Sequence, residues 1–186
     1  MAADRVPEHL ADAVELRTAD PGRDAAAWRT YQRGLSEVYS GIGAADLVPG
    51  PEVPADVTAV VLAAAADEVV GGILLRARTV IPAETGSPHL AAAIAERGPE
   101  GVNEIGGCWI RPGHQGTGVG TALAGAALRA AGAGSGRWTV TLANQFSVGV
   151  GVRVGFVPDE RFRDLPFPDG RFRSTLCWFD HRGAGR

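Results

Sequence analysis

Three glycines at alternate positions, Gly116, Gly118 and Gly120, stand where an apolar run ends and an alanine- and leucine-rich stretch begins. No other part of the chain limits its fold and chemistry as sharply. Val102 to Ile110 reads as a strand, Pro112-Gly113 as a turn, and Gly118 to Ala131 as a helix. A strand that passes through a glycine-rich loop straight into a helix leaves the first helical amides without intrahelical acceptors, and the helix dipole adds positive potential there. Glycines let the main chain approach a ligand and take positive φ. The junction is therefore a candidate site for a diphosphate or similar anion. A loop that needs glycines only to turn is the alternative.

The remaining elements frame that junction. Val14 to Arg17 reads as a short strand, and Asp24 to Val38 as an amphipathic helix with Ala27, Tyr31, Leu35 and Val38 on one face. Gly41 to Pro54 reads as a loop with room for a helical turn. Val57 to Ala63 and Val69 to Arg78 form a hairpin across Ala66-Asp67-Glu68. In the insertion from Thr79 to Gly101, Ser87-Pro88 caps a helix running to about Arg97. Arg137 to Leu142 is a further strand. Phe156-Val157 and Ser174 to Phe179 enclose a loop carrying Arg161, Arg163, Arg171 and Arg173. The pattern is an α/β domain with a mixed sheet. That domain is expected over residues 12–181, between tails at 1–11 and 182–186.

Composition removes several function classes. All 18 basic residues are arginine, so neither a Walker-type phosphate loop nor a Schiff-base lysine is available. A net charge of −3 argues against wrapping by nucleic acid. Cys108 and Cys177 are too few for a disulfide scaffold, and His9, His89, His114 and His181 show no ligand spacing, so no metal is expected. Met1 to Arg17 scatters charges through its apolar residues, which leaves no signal-peptide core, and no apolar run reaches membrane-spanning length. The expectation is a soluble cytoplasmic protein without membrane contact.

A dinucleotide fingerprint, G-x-G-x-x-G, fails in both registers, because its sixth residue would be Thr121 or Leu123. The spacing is Gln115-x-x-Gly118-x-Gly120. Here the sequence resembles the GNAT superfamily of acyl-CoA-dependent N-acyltransferases, whose signature is Arg/Gln-x-x-Gly-x-Gly/Ala after the fourth strand. The match runs back through Pro112 and Ile110 to Glu104, and forward to Asn144 and Gly155-Phe156-Val157-Pro158. Before Val57 only the order of elements agrees.

The resemblance implies a mixed, mainly antiparallel sheet flanked by helices, with strands four and five splayed around a coenzyme A cleft. It implies acetyl-CoA or another acyl-CoA as co-substrate. Main-chain groups of Gln115, Gly116, Thr117, Gly118, Val119 and Gly120 would bind its diphosphate, and Cys108, Trp109 and Ile110 would line the pantetheine. The Ile110 amide would polarise the thioester carbonyl, and Asn144 would lie near the pantetheine arm. Glu104, eleven residues before Gln115, occupies a position where many members of the family carry a carboxylate, and would be the general base. Strand alternation puts Glu104, Gly106, Cys108 and Ile110 on one face unless a bulge intervenes, with Trp109 opposite as core. The alternative for Glu104 is a pairing with arginine that only supports the sheet.

One position departs from the family pattern. Seven residues after Asn144, where many members carry a tyrosine that protonates the leaving thiolate, stands Gly151. Val148 to Gly155 also alternates with period two, a strand pattern, whereas the resemblance implies a helix. Water, Ser147 or Tyr39 remain to return the proton. Cys108 as an acyl-carrying nucleophile would need a base such as His114 in the following turn; a buried apolar cysteine is simpler.

The resemblance assigns acceptor selection to Tyr39–Pro54 and Arg161–Arg173, the latter mixed with Asp159, Glu160, Asp164 and Asp169. The insertion either walls the pocket or contacts another subunit, so a homodimer is left open. The expected activity is transfer of an acetyl or other short acyl group from acyl-CoA to the amine of a small molecule, by direct attack in a ternary complex. The alternatives are a non-catalytic acyl-CoA-binding module and a transferase of longer acyl chains or of acyl groups to oxygen.

Overall fold

A computed structural model describes residues 14–48 and 50–183. The tail expected at 1–11 lies outside these residues, as do 184–186 of the tail expected at 182–186. Among the described residues the strands are β1 (Val14–Ala19), β2 (Val57–Ala65), β3 (Glu68–Arg76), β4 (Val102–Ile110), β5 (Trp138–Asn144), β6 (Val157–Pro158) and β7 (Ser174–Asp180). They form one sheet in the order β1-β2-β3-β4-β5-β7-β6. Every neighbouring pair is antiparallel except β4 and β5. The helices are α1 (Ala25–Gly41), α2 (Ile81–Thr85), α3 (Pro88–Ala95), α4 (Val119–Gly132) and α5 (Val148–Arg153). This is the mixed, mainly antiparallel sheet flanked by helices that was expected. No helix among the described residues is long and apolar enough to cross a membrane.

Two helices cover the centre of the sheet, one on each face. Asp24 starts α1, its carboxylate accepting from Ala27 N at 2.9 Å. Trp28, Tyr31 and Leu35 then pack on Val60, Leu62, Leu74 and Trp109. Gly34 allows the close approach, since a Cβ there would fall 2.1 Å from the Trp109 ring. On the opposite face, Val119, Leu123 and Ala127 of α4 pack on Val61, Val70, Ile73 and Ile105.

The insertion covers the other half of the sheet on the α1 side. Ser87 caps α3, accepting from Leu90 N at 3.3 Å, with Pro88 in the first turn. Ile81, Leu90 and Ile94 pack on Val140, Leu176 and Trp178 of β5 and β7. The five residues of α2 are too short to show a helical period. Residues 148–153 form α5 and not a strand, despite their alternation. Its end is a left-handed cap, with Gly155 at φ 100° and Phe156 N donating to Gly151 O at 3.0 Å.

The sheet opens where β4 and β5 part. They pair only from Val102↔Trp138 to Glu104↔Val140. Beyond that, β4 stays with β3 to Gly71↔Ile110, while β5 stays with β7 to Asn144↔Ser174. A wedge is left between Glu104 at its apex and Ile110 and Asn144 at its mouth.

Candidate active site

The glycine loop closes one end of the wedge. Gly116 and Gly118 have φ of 76° and 94°, backbone that favours glycine, and Gly118 is the N-cap of α4 with no side-chain cap. The first bond into the helix is Ala122 N to Gly118 O at 3.0 Å. Among the described residues, no protein acceptor is met by the amides of Gly116 to Thr121. Gly120 sets how closely α4 meets its neighbours: a Cβ there would lie 3.0 Å from Ile110 Cδ1 and 3.5 Å from Val150 Cγ2. Gln115 is exposed, and its side-chain amide donates to Ile110 O at 3.2 Å, tying the loop to the end of β4. Free amides on an open, curved main chain at the start of a 14-residue helix fit a diphosphate.

A bulge divides the side chains of β4 between the two faces. The ladder with β3 passes from Gly72↔Trp109 to Leu74↔Gly106, leaving Gly107 and Cys108 without partners. Gly107 takes φ 54°, and a Cβ there would lie 2.1 Å from the Tyr31 hydroxyl. That hydroxyl donates to Gly107 O at 2.7 Å. The single face expected for Glu104, Gly106, Cys108 and Ile110 is therefore corrected. Glu104 lines a cavity on the α1 side with Tyr31 and Gly106, while Cys108 and Ile110 pack on the α4 side. Trp109 is core on the α1 side, 2% exposed. Arg111 N donates to Val70 O at 2.9 Å, so alternation turns Trp109's main chain to β3 and the Ile110 N–H into the wedge. Trp109, expected to line the pantetheine, thus turns its side chain to the α1-side core and its main chain to β3. Because a planar peptide opposes its C=O and N–H, the Gly107 carbonyl turned to Tyr31 directs the Cys108 N–H to the opposite side.

Glu104 lies at the apex, 6% exposed. Its Oε2 accepts from Thr79 Oγ1 at 2.7 Å and Val80 N at 2.8 Å. Its Oε1 has Arg76 Nε at 3.7 Å, beyond a hydrogen bond. Burial raises its pKa; the bonds from Thr79 and Val80 and the Arg76 charge oppose that rise. Arg76 is itself held by Asp56 at 2.5 Å. One Glu104 oxygen thus anchors the start of the insertion, the other has Arg76 beside it, and the residue lines a cavity of about 300 Å³. Thr79, Val80, Arg76 and the Gly107 bulge escaped sequence reasoning. The Gly106-Gly107 pair inside a strand was the available signal for the bulge.

Asn144 lines the same cavity, but its Oδ1 is used locally, accepting from Phe146 N at 3.0 Å and Ser147 N at 3.2 Å to start α5. The Ser147 hydroxyl is turned back to Asn144, 3.2 Å from Oδ1. Tyr39 lines the cavity, and burial and the neighbouring Cys108 raise its pKa, keeping the phenol protonated through neutral pH. Gly151 is buried against Phe156, with no side chain to donate a proton.

Burial pushes the Cys108 thiol up to about 12, and no imidazole bonds to it among the described residues. Cys108→Ala is expected to retain turnover within about threefold, against outright loss for a covalent carrier; initial rates with acetyl-CoA decide this. Of the four loop arginines three are engaged: Arg161 with Asp159, Arg163 with Glu160, and Arg171 with both Asp169 and Asp46.

The model of the acetyltransferase (GNAT) family matches residues 51–156, more than half of the chain. No curated protein matches the sequence significantly. Among solved structures, FeeM, an N-acyl amino acid synthase from uncultured soil microbes, superposes with a TM-score of 0.65 at 12% identity, over 91% of this chain and 90% of its own. An acetyltransferase of the GNAT family from Streptococcus pneumoniae gives 0.61 at 16% identity, over 90% and 98%. For yncA of Salmonella typhimurium, solved with its cofactor acetyl-CoA, the values are 0.54 and 15%, over 91% and 94%. At these identities the likeness is one of fold.

Proposed function

The chain belongs to the GNAT acetyltransferase family, and on that premise we propose that it transfers an acetyl or other short acyl group from acyl-CoA to the amine of a small-molecule acceptor. The observation that carries this reading is the wedge between β4 and β5, with unpartnered amides at its mouth and a buried carboxylate at its apex. Acyl-CoA supplies an activated thioester carbonyl. The amides of Gly116 to Gly120 bind its diphosphate, with Gln115 and Thr117 shaping the loop. The Ile110 N–H donates to the carbonyl oxygen as negative charge develops there, and the bulge offers the Cys108 N–H as a second donor. Asn144 borders the arm from β5.

Glu104 Oε1 takes the proton that the acceptor's ammonium must lose before its nitrogen can attack, directly or through one water. A carboxylate raised by burial is better matched to that task than a solvated one. Tyr39 returns a proton to the departing thiolate, since Ser147 is committed to Asn144 and Gly151 has nothing to give. Purified protein with acetyl-CoA and a panel of amines is expected to release free thiol only when an amine is present. Tight acetyl-CoA binding with no thiol release from any amine would leave a binding module. Faster release from longer thioesters would make it a long-chain transferase.

A further inference from the structure

The cavity beneath Glu104 has a chemical character of its own. Its volume, about 300 Å³, is at the small end of ligand sites. Only a little over half of its wall is apolar, contributed by side chains such as Leu35 and Tyr39 from α1, Leu74 from β3, and Phe167 and Pro168 from the β6–β7 loop. Two carboxylates border it, Glu104 at the apex and the exposed Glu84 of α2. Among the described residues the one cation in its lining is Arg76, whose guanidinium is already shared between Asp56 and Glu104. The arginines of the nearby loop are held by Asp159, Glu160, Asp169 and Asp46, and Arg173 is exposed outside the lining. An acceptor carrying a carboxylate or phosphate would bring a further negative charge beside Glu84 and Glu104, with no unpaired cation among the described lining residues to meet it.

We propose that the acceptor is a primary amine on a compact apolar or aromatic body without carboxylate or phosphate, and that Glu84 selects it by attracting its ammonium group. This rests on the transferase reading above. The apolar body fills the space between Leu35, Leu74 and Phe167, and the amine reaches past Glu84 to Glu104. Glu84 determines specificity and takes no part in bond-making.

Matched pairs differing only in the carboxylate, phenethylamine with phenylalanine and tryptamine with tryptophan, test this at saturating acetyl-CoA. The amines are expected to show kcat/KM at least about a hundredfold above their amino acids. Glu84→Gln is expected to raise the amine KM about three- to fivefold, leave kcat and the acetyl-CoA KM unchanged, and narrow the gap within each pair. Amino acids used as well as their amines, or a Glu84→Gln protein with unchanged KM and unchanged discrimination, would overturn the proposal while leaving the transferase intact. Thiol release from no member of the panel, in protein that binds acetyl-CoA, would overturn both.

Discussion

Glu104→Gln is expected to lower kcat at least about a hundredfold near neutral pH, with acetyl-CoA bound as tightly as before. The substitution is a sharp one because the amide oxygen can still accept from Thr79 Oγ1 and Val80 N, the bonds that tie the insertion to β4. The fold is kept and the base is lost. The pH dependence follows in sign. A general base works ionised, and burial raises the Glu104 pKa above the ordinary carboxylate value, so wild-type kcat/KM falls as pH drops through that raised value. The variant should lose this acid limb along with its rate. Equal rates for the two proteins across the pH range would reduce Glu104 to a support for Thr79 and Val80.

Gly118→Val should raise the acetyl-CoA Kd about tenfold or more while changing kcat at saturation little. Gly118 sits at φ 94° as the N-cap of α4, a conformation that costs a side-chain-bearing residue about 1–3 kcal/mol and a β-branched one more. The loop must rotate to relieve that strain, which turns the amides of Gly116 to Gly120 away from a common focus. Calorimetry reads the change directly. An unchanged affinity would mean that the diphosphate is held elsewhere.

The two substitutions also mark what could and could not be read from the residues. The glycine junction was legible because its constraints are local: a strand end, positive-φ positions and a helix start lie within one short segment. Val102–Ile110 emerges as β4 over the expected span. The Gly106-Gly107 pair hinted at a bulge in β4, but not at its contact with Tyr31, 76 positions away, whose hydroxyl reaches the Gly107 carbonyl. The extra residue that the bulge puts into β4 moves Cys108 and Ile110 to the face opposite Glu104 and breaks the simple alternation of β4. In α5 the period-two pattern of valines and glycines pointed to a strand, but the Asn144 turn at its start and the Gly155 cap at its end hold a helix. The cavity beneath Glu104 draws on α1, β3, β4, α2 and the β6–β7 loop, so no spacing along the chain could reveal it. Glu84 becomes significant only once α2 is folded beside the wedge.

Amide hydrogen exchange with and without acetyl-CoA bears most directly on whether the main chain grips the coenzyme. Slowed exchange at Gly116 to Gly120 and at Ile110 on adding acetyl-CoA is the expected result, with the β1–β2 edge unaffected. Binding of acetyl-CoA with exchange unaltered at those amides would contradict it.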